Sequence, residues 1–515
     1  MSFDLVSEPW LPCRGRDGTR VTLGIAALLE HAHELECLDD PSPLVTLALH
    51  RLLLAILHRV FGPRSLAAWK GLYAARRLPT NEILPYLEEQ REGLDLIHPS
   101  RPFYQTRGLP KEYEADGIGR LVLERSNYGA PSFLFQHRPI DATISDTISF
   151  ANAARNLVAL HAFAPGGLIR KRGEPDSASA GPLNRGAYVL VRGASLFETL
   201  MFNLLVYDPE NNRPIAGDAA KDRPAWERPP LARPTGGLEP KRLPHGYIDW
   251  LTWQSRRVEL VLSPDMNEIA GVVYCVAQGL ESPAPQDPML AFRVDKERGP
   301  VPVDLSESRA VWRDCHAFVR EGGQDGAAPP AAVAQFATRE LKGLLADARP
   351  SLLVLGLRGD QAKLRLARAE RLGIPGAILA DADLQAHLAD ASGIAETVGA
   401  TLRIALRVAA AHALSPGNRE PHKDDVTNLV NAMGGERSYW AALATPFGLF
   451  LEELPRDPDT TSEKFAATCR AVARRALADA CRALGGEARY LKALACAEDY
   501  LSRALSAQFA ADQAS

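Results

Sequence analysis

Leu352-Leu353-Val354-Leu355-Gly356-Leu357-Arg358-Gly359-Asp360-Gln361-Ala362-Lys363, followed by Arg365, Arg368 and Arg371, is the stretch on which the fold reading turns. The apolar run Leu352 to Leu355 reads as a strand, Gly356 and Gly359 frame a turn that holds Gln361 out, and the basic run that follows reads as a helix. A strand leading through a glycine turn into a helix belongs to a domain that mixes both elements. Just beyond it the composition shifts. Up to about residue 380 strand-like and helical segments mix among many prolines, whereas the later chain is alanine-rich and helical in pattern. The expected fold class is α+β, with a large mixed domain over 1–380 followed by a C-terminal four-helix bundle over 381–515.

Outward from this stretch, Phe3, Asp4, Leu5, then Pro9, Trp10, Leu11, Pro12 and a Gly-Arg-Asp-Gly turn at 15–18 predict a short hairpin capped by an aromatic. Leu44 to His58 places apolar residues at 45, 49, 52, 53 and 56, the spacing of a buried helix face. Tyr188 to Val191 and Val258 to Leu262 alternate as strands do. The stretch 208–245 is rich in proline, glycine and charge and reads as an extended excursion. The loop 169–186 combines Arg170, Lys171 and Arg172 with Gly173, Ser177, Ser179 and Gly181, a composition that orders poorly without a partner. In the last part, helical patterns over 384–414, 423–453, 462–484 and 487–509 make the four bundle members. Pro416-Gly417 and Gly485-Gly486 fall between them, and Gly434-Gly435 with Pro446 predicts that the second is kinked or split.

The chain has 515 residues, of which 46% are hydrophobic, enough for a substantial core. With 59 basic and 63 acidic residues the net charge is −4, so nucleic acid could be held only on a local patch and not over the whole surface. No apolar run reads as a membrane span, and Asp4 and Glu8 break the pattern of a signal peptide, which predicts a cytoplasmic protein. The seven cysteines include no CxxC pair, so neither a disulfide framework, a zinc site nor another cofactor is expected.

Motifs of hydrolytic or nucleotide chemistry are missing: no Walker A, no HExxH, no G-x-S-x-G and no His-Asp doublet occurs, and the histidines are scattered. No catalytic residue is assigned, which favours a binding protein over an enzyme. Three stretches fit nucleic acid. Ser132-Phe133-Leu134-Phe135-Gln136-His137-Arg138 sets aromatics beside polar and basic groups that could stack on bases and hold phosphates, though a buried Phe pair in a turn fits equally. Gly166 and Gly167 let a backbone approach closely, and also suit an ordinary turn. The Gln361 loop, with Arg358 before it, suits a tip entering a phosphate-lined groove, and by itself also an unremarkable solvated turn.

In order along the chain stand the Pro9-Trp10 start, His98-Pro99 with Pro102-Phe103-Tyr104-Gln105, Ala164-Pro165-Gly166-Gly167, Val191-Arg192-Gly193, Trp226-Glu227, Trp253 to Arg257, Asp287-Pro288-Met289 through Trp312-Arg313-Asp314, and Tyr439-Trp440. This set resembles the CasA family, the large subunit of the type I-E CRISPR surveillance complex called Cascade. The resemblance spans nearly the whole chain. It implies a non-catalytic subunit that recognises the protospacer-adjacent motif in double-stranded target DNA, begins strand separation, and docks the helicase-nuclease effector among the other Cascade subunits and the guide RNA. It further implies that Phe135, Gln136 and His137 touch the 5′ handle of the guide, that Gly166 and Gly167 lie against the minor groove, and that Arg293 or Lys296, in a hairpin over 293–298, enters it. Lys171 and Arg358 are expected to add DNA contacts. Gln361 would be the wedge beneath the motif, and Asp360, where some relatives have asparagine, would cap the following helix or pair with Arg358. Some relatives carry two CxxC pairs; the matching stretches here offer only Cys275, so no structural zinc is expected. A metal-dependent hydrolase with a helical accessory domain and a purely structural assembly adaptor are the alternatives.

Overall fold

A computed structural model describes residues 1–124, 147–169, 171–232, 241–295, 297–319, 329–338, 350–360, 363–415 and 420–511. The protein is α+β, and its contacts divide it into two compact units: Met1–Ser306 with Gly322–Leu372, and Glu307–Glu321 with Gly373–Ser515. The second unit thus takes in a short segment before residue 322 as well as the C-terminal helices.

The first unit is organised on the helix Pro43–Val60, in which every side chain from Leu44 to His58 is buried. Ser42 starts it: its hydroxyl accepts from the Val45 N–H at 3.2 Å and Pro43 takes the first helical position. By length and composition this 18-residue helix could cross a bilayer, although His50, Arg51, His58 and Arg59 interrupt it, so it is not the unbroken apolar run that the sequence reading excluded. It is 78% buried within the protein and serves as the core helix. Its one full-length charge inside the core is Arg51, which donates to Asp287 Oδ2 at 2.6 Å and to the Trp250 carbonyl at 3.2 Å. Trp250 Nε1 and the Met289 N–H complete the cage around the carboxylate at 2.7 and 2.8 Å. Each charge is therefore compensated where water cannot reach it.

Against this helix packs a three-stranded antiparallel sheet in which Ser351–Asp360 lies between Gly186–Arg192 and Lys363–Leu372. The basic run after Gln361 is thus a strand and not the helix expected from its pattern. Leu364, Leu366 and Leu372 beside Lys363, Arg365 and Arg371 satisfy a two-residue period as well as a helical one, and pairing along the full length of 351–360 decides between them. Two arginines of this strand are engaged in place: Arg368 donates to the Ser306 carbonyl at 2.7 Å and Arg371 to Ser351 Oγ at 2.9 Å. No helix follows for Asp360 to cap.

Elsewhere the predicted hairpin forms from Leu11–Gly15 and Arg20–Leu23, with Trp10 fully buried and its Nε1 donating to the Leu5 carbonyl at 2.9 Å. Arg256–Leu262 pairs with Ile269–Val276. The excursion 208–245 is anchored by Trp226, which is buried and donates to Tyr86 Oη at 2.8 Å.

Three histidines are sealed into this unit as neutral rings. Burial lowers His58 to about 3, and lowers His50 and His161 to about 4 against the partial opposition of hydrogen bonds to Thr46 and Tyr104. His58 sits between Tyr207 and Tyr247 with neither ring nitrogen hydrogen-bonded. Below pH 6.5 the unfolded chain takes up protons at these rings and the folded chain does not. Stability should therefore fall as pH falls from 6.5 towards 4, by roughly 2 kcal/mol per ring at pH 5. Urea unfolding at pH 7 and pH 5 measures this, and equal midpoints would contradict it.

In the second unit the helices Ala382–Leu414, Gly435–Glu453, Pro458–Arg482 and Ala488–Ala511 pack as a bundle, with Lys423–Met433 as a separate leading piece. The predicted second member splits at Gly434, a C-cap in the left-handed region (φ 65°), while Pro446 remains inside a continuous helix. The bundle interior stacks Phe447, Phe450 and Phe465, and Tyr439 Oη donates to the Ala395 carbonyl at 2.9 Å. Gly399 is required there, because a Cβ would meet the Trp440 ring at 2.7 Å. The short segment Glu307–Glu321 docks through Trp312 on Phe447 and through Arg313, which grips Glu396 with two bonds of 2.9 and 2.8 Å and lies 3.4 Å over Trp440.

Candidate nucleic-acid interface

Gly186 and Ala187, the first residues of their strand, carry two hairpins at once. On one side they pair with Leu357 and Gly356 of the hairpin 351–372. Ala187 also donates to the Val303 carbonyl and accepts from the Ala291 N–H, both at 2.9 Å, and Val303 donates back to Ala291 at 2.9 Å. These bonds close the base of a second hairpin, Phe292–Asp295 with Gly299–Pro302, where the resemblance implies one over 293–298. Glycine is needed at this junction. Gly186 has φ +104°, and a Cβ on Gly356 would lie 2.2 Å from the Gly186 carbonyl oxygen.

Because the two hairpins start from neighbouring residues, the side chains beside their bases converge. Asp304, just past the second hairpin, receives Arg185 Nε at 2.8 Å and Nη2 at 2.6 Å in a two-pronged pair. Arg293 and Arg358 are exposed and close enough to act on the same carboxylate. The Arg185 hydrogen bonds, and then the fields of Arg185, Arg358 and Arg293, hold Asp304 below the usual carboxylate range. Arg185, Arg293 and Arg358 all act on this one carboxylate, and Arg293 acts together with Arg298 on Asp295 as well, on a protein whose net charge is −4. Of the residues singled out in the sequence, Arg293 and Arg358 both act on Asp304. Arg185 and Asp304 were missed by the sequence reading, since they stand 119 residues apart with no local pattern to mark them.

The glycine segment opens a third hairpin, Gly167–Ile169 with Asp176–Ala178, in place of the partner-dependent loop expected over 169–186. Its far end is tied down: Arg172 donates its N–H to the Glu112 carbonyl at 2.8 Å and its side chain to Glu114 at 3.1 Å. Lys171 is bound to Asp176 at 2.7 Å and lies 5.8 Å from the Tyr113 ring centre, so its charge is partly satisfied within the hairpin. The near end is held by Arg256, only 2% exposed, which donates to the carbonyls of Pro165 at 2.6 Å and Ser179 at 2.8 Å. Burial lowers its pKa to about 10. What remains accessible is the edge at Gly166, Gly167 and Leu168, the last 67% exposed. A Cβ on Gly166 would press on the Ala180 nitrogen at 3.0 Å, and Gly167 has φ 131°.

Phe135, Gln136, His137, Lys296 and Gln361 lie outside the described residues. Among the described residues, no group of three or more His, Cys, Asp or Glu side chains is placed to hold a metal ion. The seven cysteines are free thiols.

Comparison with known proteins finds relatives over nearly the whole chain. A family model described as CRISPR-associated protein Cse1 matches residues 4–484. The CasA/Cse1 protein of Thermus thermophilus is 34% identical over 512 residues, covering 98% of this chain and 97% of the relative. A crystal structure of Thermus thermophilus CasA superposes with a TM-score of 0.83 at 32% identity, over 98% of this chain and 100% of that one. Cse1 from Acidimicrobium ferrooxidans gives 0.80 at 27% identity, over 98% of both chains. A chain of a CRISPR RNA-guided surveillance complex, 23% identical over 97% of this chain and 99% of its own, shares the fold with a TM-score of 0.76. The chain belongs to the Cse1 (CasA) family of CRISPR-associated proteins.

Proposed function

We propose that this chain is the non-catalytic large subunit of a type I-E Cascade, which recognises the flanking motif in duplex DNA, begins strand separation and recruits the helicase-nuclease. The observation that carries this reading is that Arg185, Arg293 and Arg358 all act on Asp304 beside the two hairpins that pair with Gly186 and Ala187. Local positive charge on a mildly acidic protein is what a single DNA contact requires. The exposed edge at Gly166 and Gly167 adds a backbone surface that could lie against a groove, where readout is degenerate and several motifs would be tolerated. Family membership and the shared fold with a chain of an RNA-guided surveillance complex supply the setting, with guide RNA and other subunits as partners.

Gln361 stands three residues after Arg358 in the sequence, and a polar side chain there could enter a base step. Opening such a step costs a few kcal/mol, after which guide-target pairing replaces the lost DNA pairing in a nearly balanced exchange. In a reconstituted complex, Gln361→Ala should slow R-loop formation on linear duplex at least about tenfold, which corresponds to losing roughly 1.4 kcal/mol of the opening step. Assembly of the complex should be unaffected. An unchanged rate would remove Gln361 from the wedge role.

A further inference from the structure

We propose that Asp304 sets the specificity of this surface, by keeping its three arginines partly neutralised so that they do not capture duplex DNA of any sequence. The inference rests on the DNA-recognition reading above and goes beyond it, since a carboxylate in a phosphate-binding surface opposes binding. Its position is built in. Asp304 follows Val303, whose N–H and carbonyl are both bonded to the base of the arginine-bearing hairpin, and Arg185 precedes Gly186 at the shared junction. Asp304 is about one-third exposed while Arg185 is 70% exposed, so the guanidinium presents its free side outward while its fork faces the carboxylate. The pair is accordingly a preorganised cation of reduced strength. A phosphate arriving near Arg293 and Arg358 meets their positive charge with the Asp304 carboxylate set against it. Such attenuation lowers the sequence-independent part of the affinity, which comes almost wholly from phosphate contacts, and leaves contacts to the motif untouched. The ratio between correct and incorrect flanks rises as a result.

The test uses the reconstituted complex with Asp304→Asn, a surface change that keeps the side chain's shape and one acceptor for Arg185. Affinity is measured for duplexes with the preferred flank and with a scrambled flank over a salt series. Unmasking one charge at about 6 Å in a largely aqueous setting should tighten scrambled-flank binding roughly fivefold at low salt and steepen its salt dependence by up to about one unit. Preferred-flank binding should change less, so discrimination falls. Scrambled-flank affinity that is unchanged or weaker in Asp304→Asn overturns the proposal, because the carboxylate would then serve only to hold Arg185 in place. Arg185→Gln, measured in parallel, should weaken both duplexes, and equal binding to wild type would likewise overturn it. An Arg293→Glu, Arg358→Glu double variant separates the two levels: if it binds both duplexes as wild type does, the DNA-recognition reading itself fails.

Discussion

Asp287→Ala is expected to lower the stability of the N-terminal unit by about 3–5 kcal/mol, the usual consequence of stranding a buried charge. Arg51 and Asp287 are each 2% exposed, and the carboxylate also accepts from Trp250 Nε1 and the Met289 N–H. Removing it leaves a guanidinium with only the Trp250 carbonyl and a weak sulfur contact at 3.8 Å, together with two orphaned donors. The damage should spread, because Arg51 lies mid-way along the helix on which the sheet rests. Urea unfolding at pH 7 would show it as a large fall in midpoint. A loss below about 1 kcal/mol would mean that water enters the site and restores solvation. Replacing both partners together, as in Arg51→Met with Asp287→Leu, should recover much of the loss, since no charge then remains to be buried.

The second large effect is expected on binding. Reversing both exposed arginines, Arg293→Glu with Arg358→Glu, turns two attractions into two repulsions beside Asp304. In the assembled complex, duplex affinity at low salt should fall by at least about 100-fold, and the slope of log affinity against log salt should flatten by roughly two units. Neither side chain is buried, so folding should be unaffected. Loss of binding with an unchanged salt slope would point to a disturbed assembly instead of lost phosphate contacts. Undiminished affinity would favour the structural-adaptor alternative.

How far these features could be read before the structure depends on the range of the interaction behind each. The core helix, the first hairpin and the bundle members announce themselves through periodicity and breakers within a few residues, and Gly434 splits its helix where the glycine pair predicts. The strand Lys363–Leu372 was misread because its arginines fit a helical spacing, and the competing partner, Ser351–Asp360, is specified by pairing and not by propensity. The segment 169–186 looked unable to order because its anchors, Glu112, Glu114 and Arg256, are remote in sequence. At the candidate interface, Arg358 could be proposed from local charge and Arg293 from the family resemblance. Their convergence on Asp304, and the part played by Arg185, arise only when Ala187 binds Val303 and Ala291.

The shared footing of two hairpins on Gly186 and Ala187 also determines how this surface can vary among relatives. Two residues added to each strand of either hairpin would advance its tip by about 7 Å while leaving the footing in register. Reach can therefore be retuned one hairpin at a time. A change at Gly186 or Ala187 acts differently, because it re-aims both tips together. On the proposed function, divergence in what this surface reads should accumulate in hairpin length and tip residues, over a junction held nearly constant.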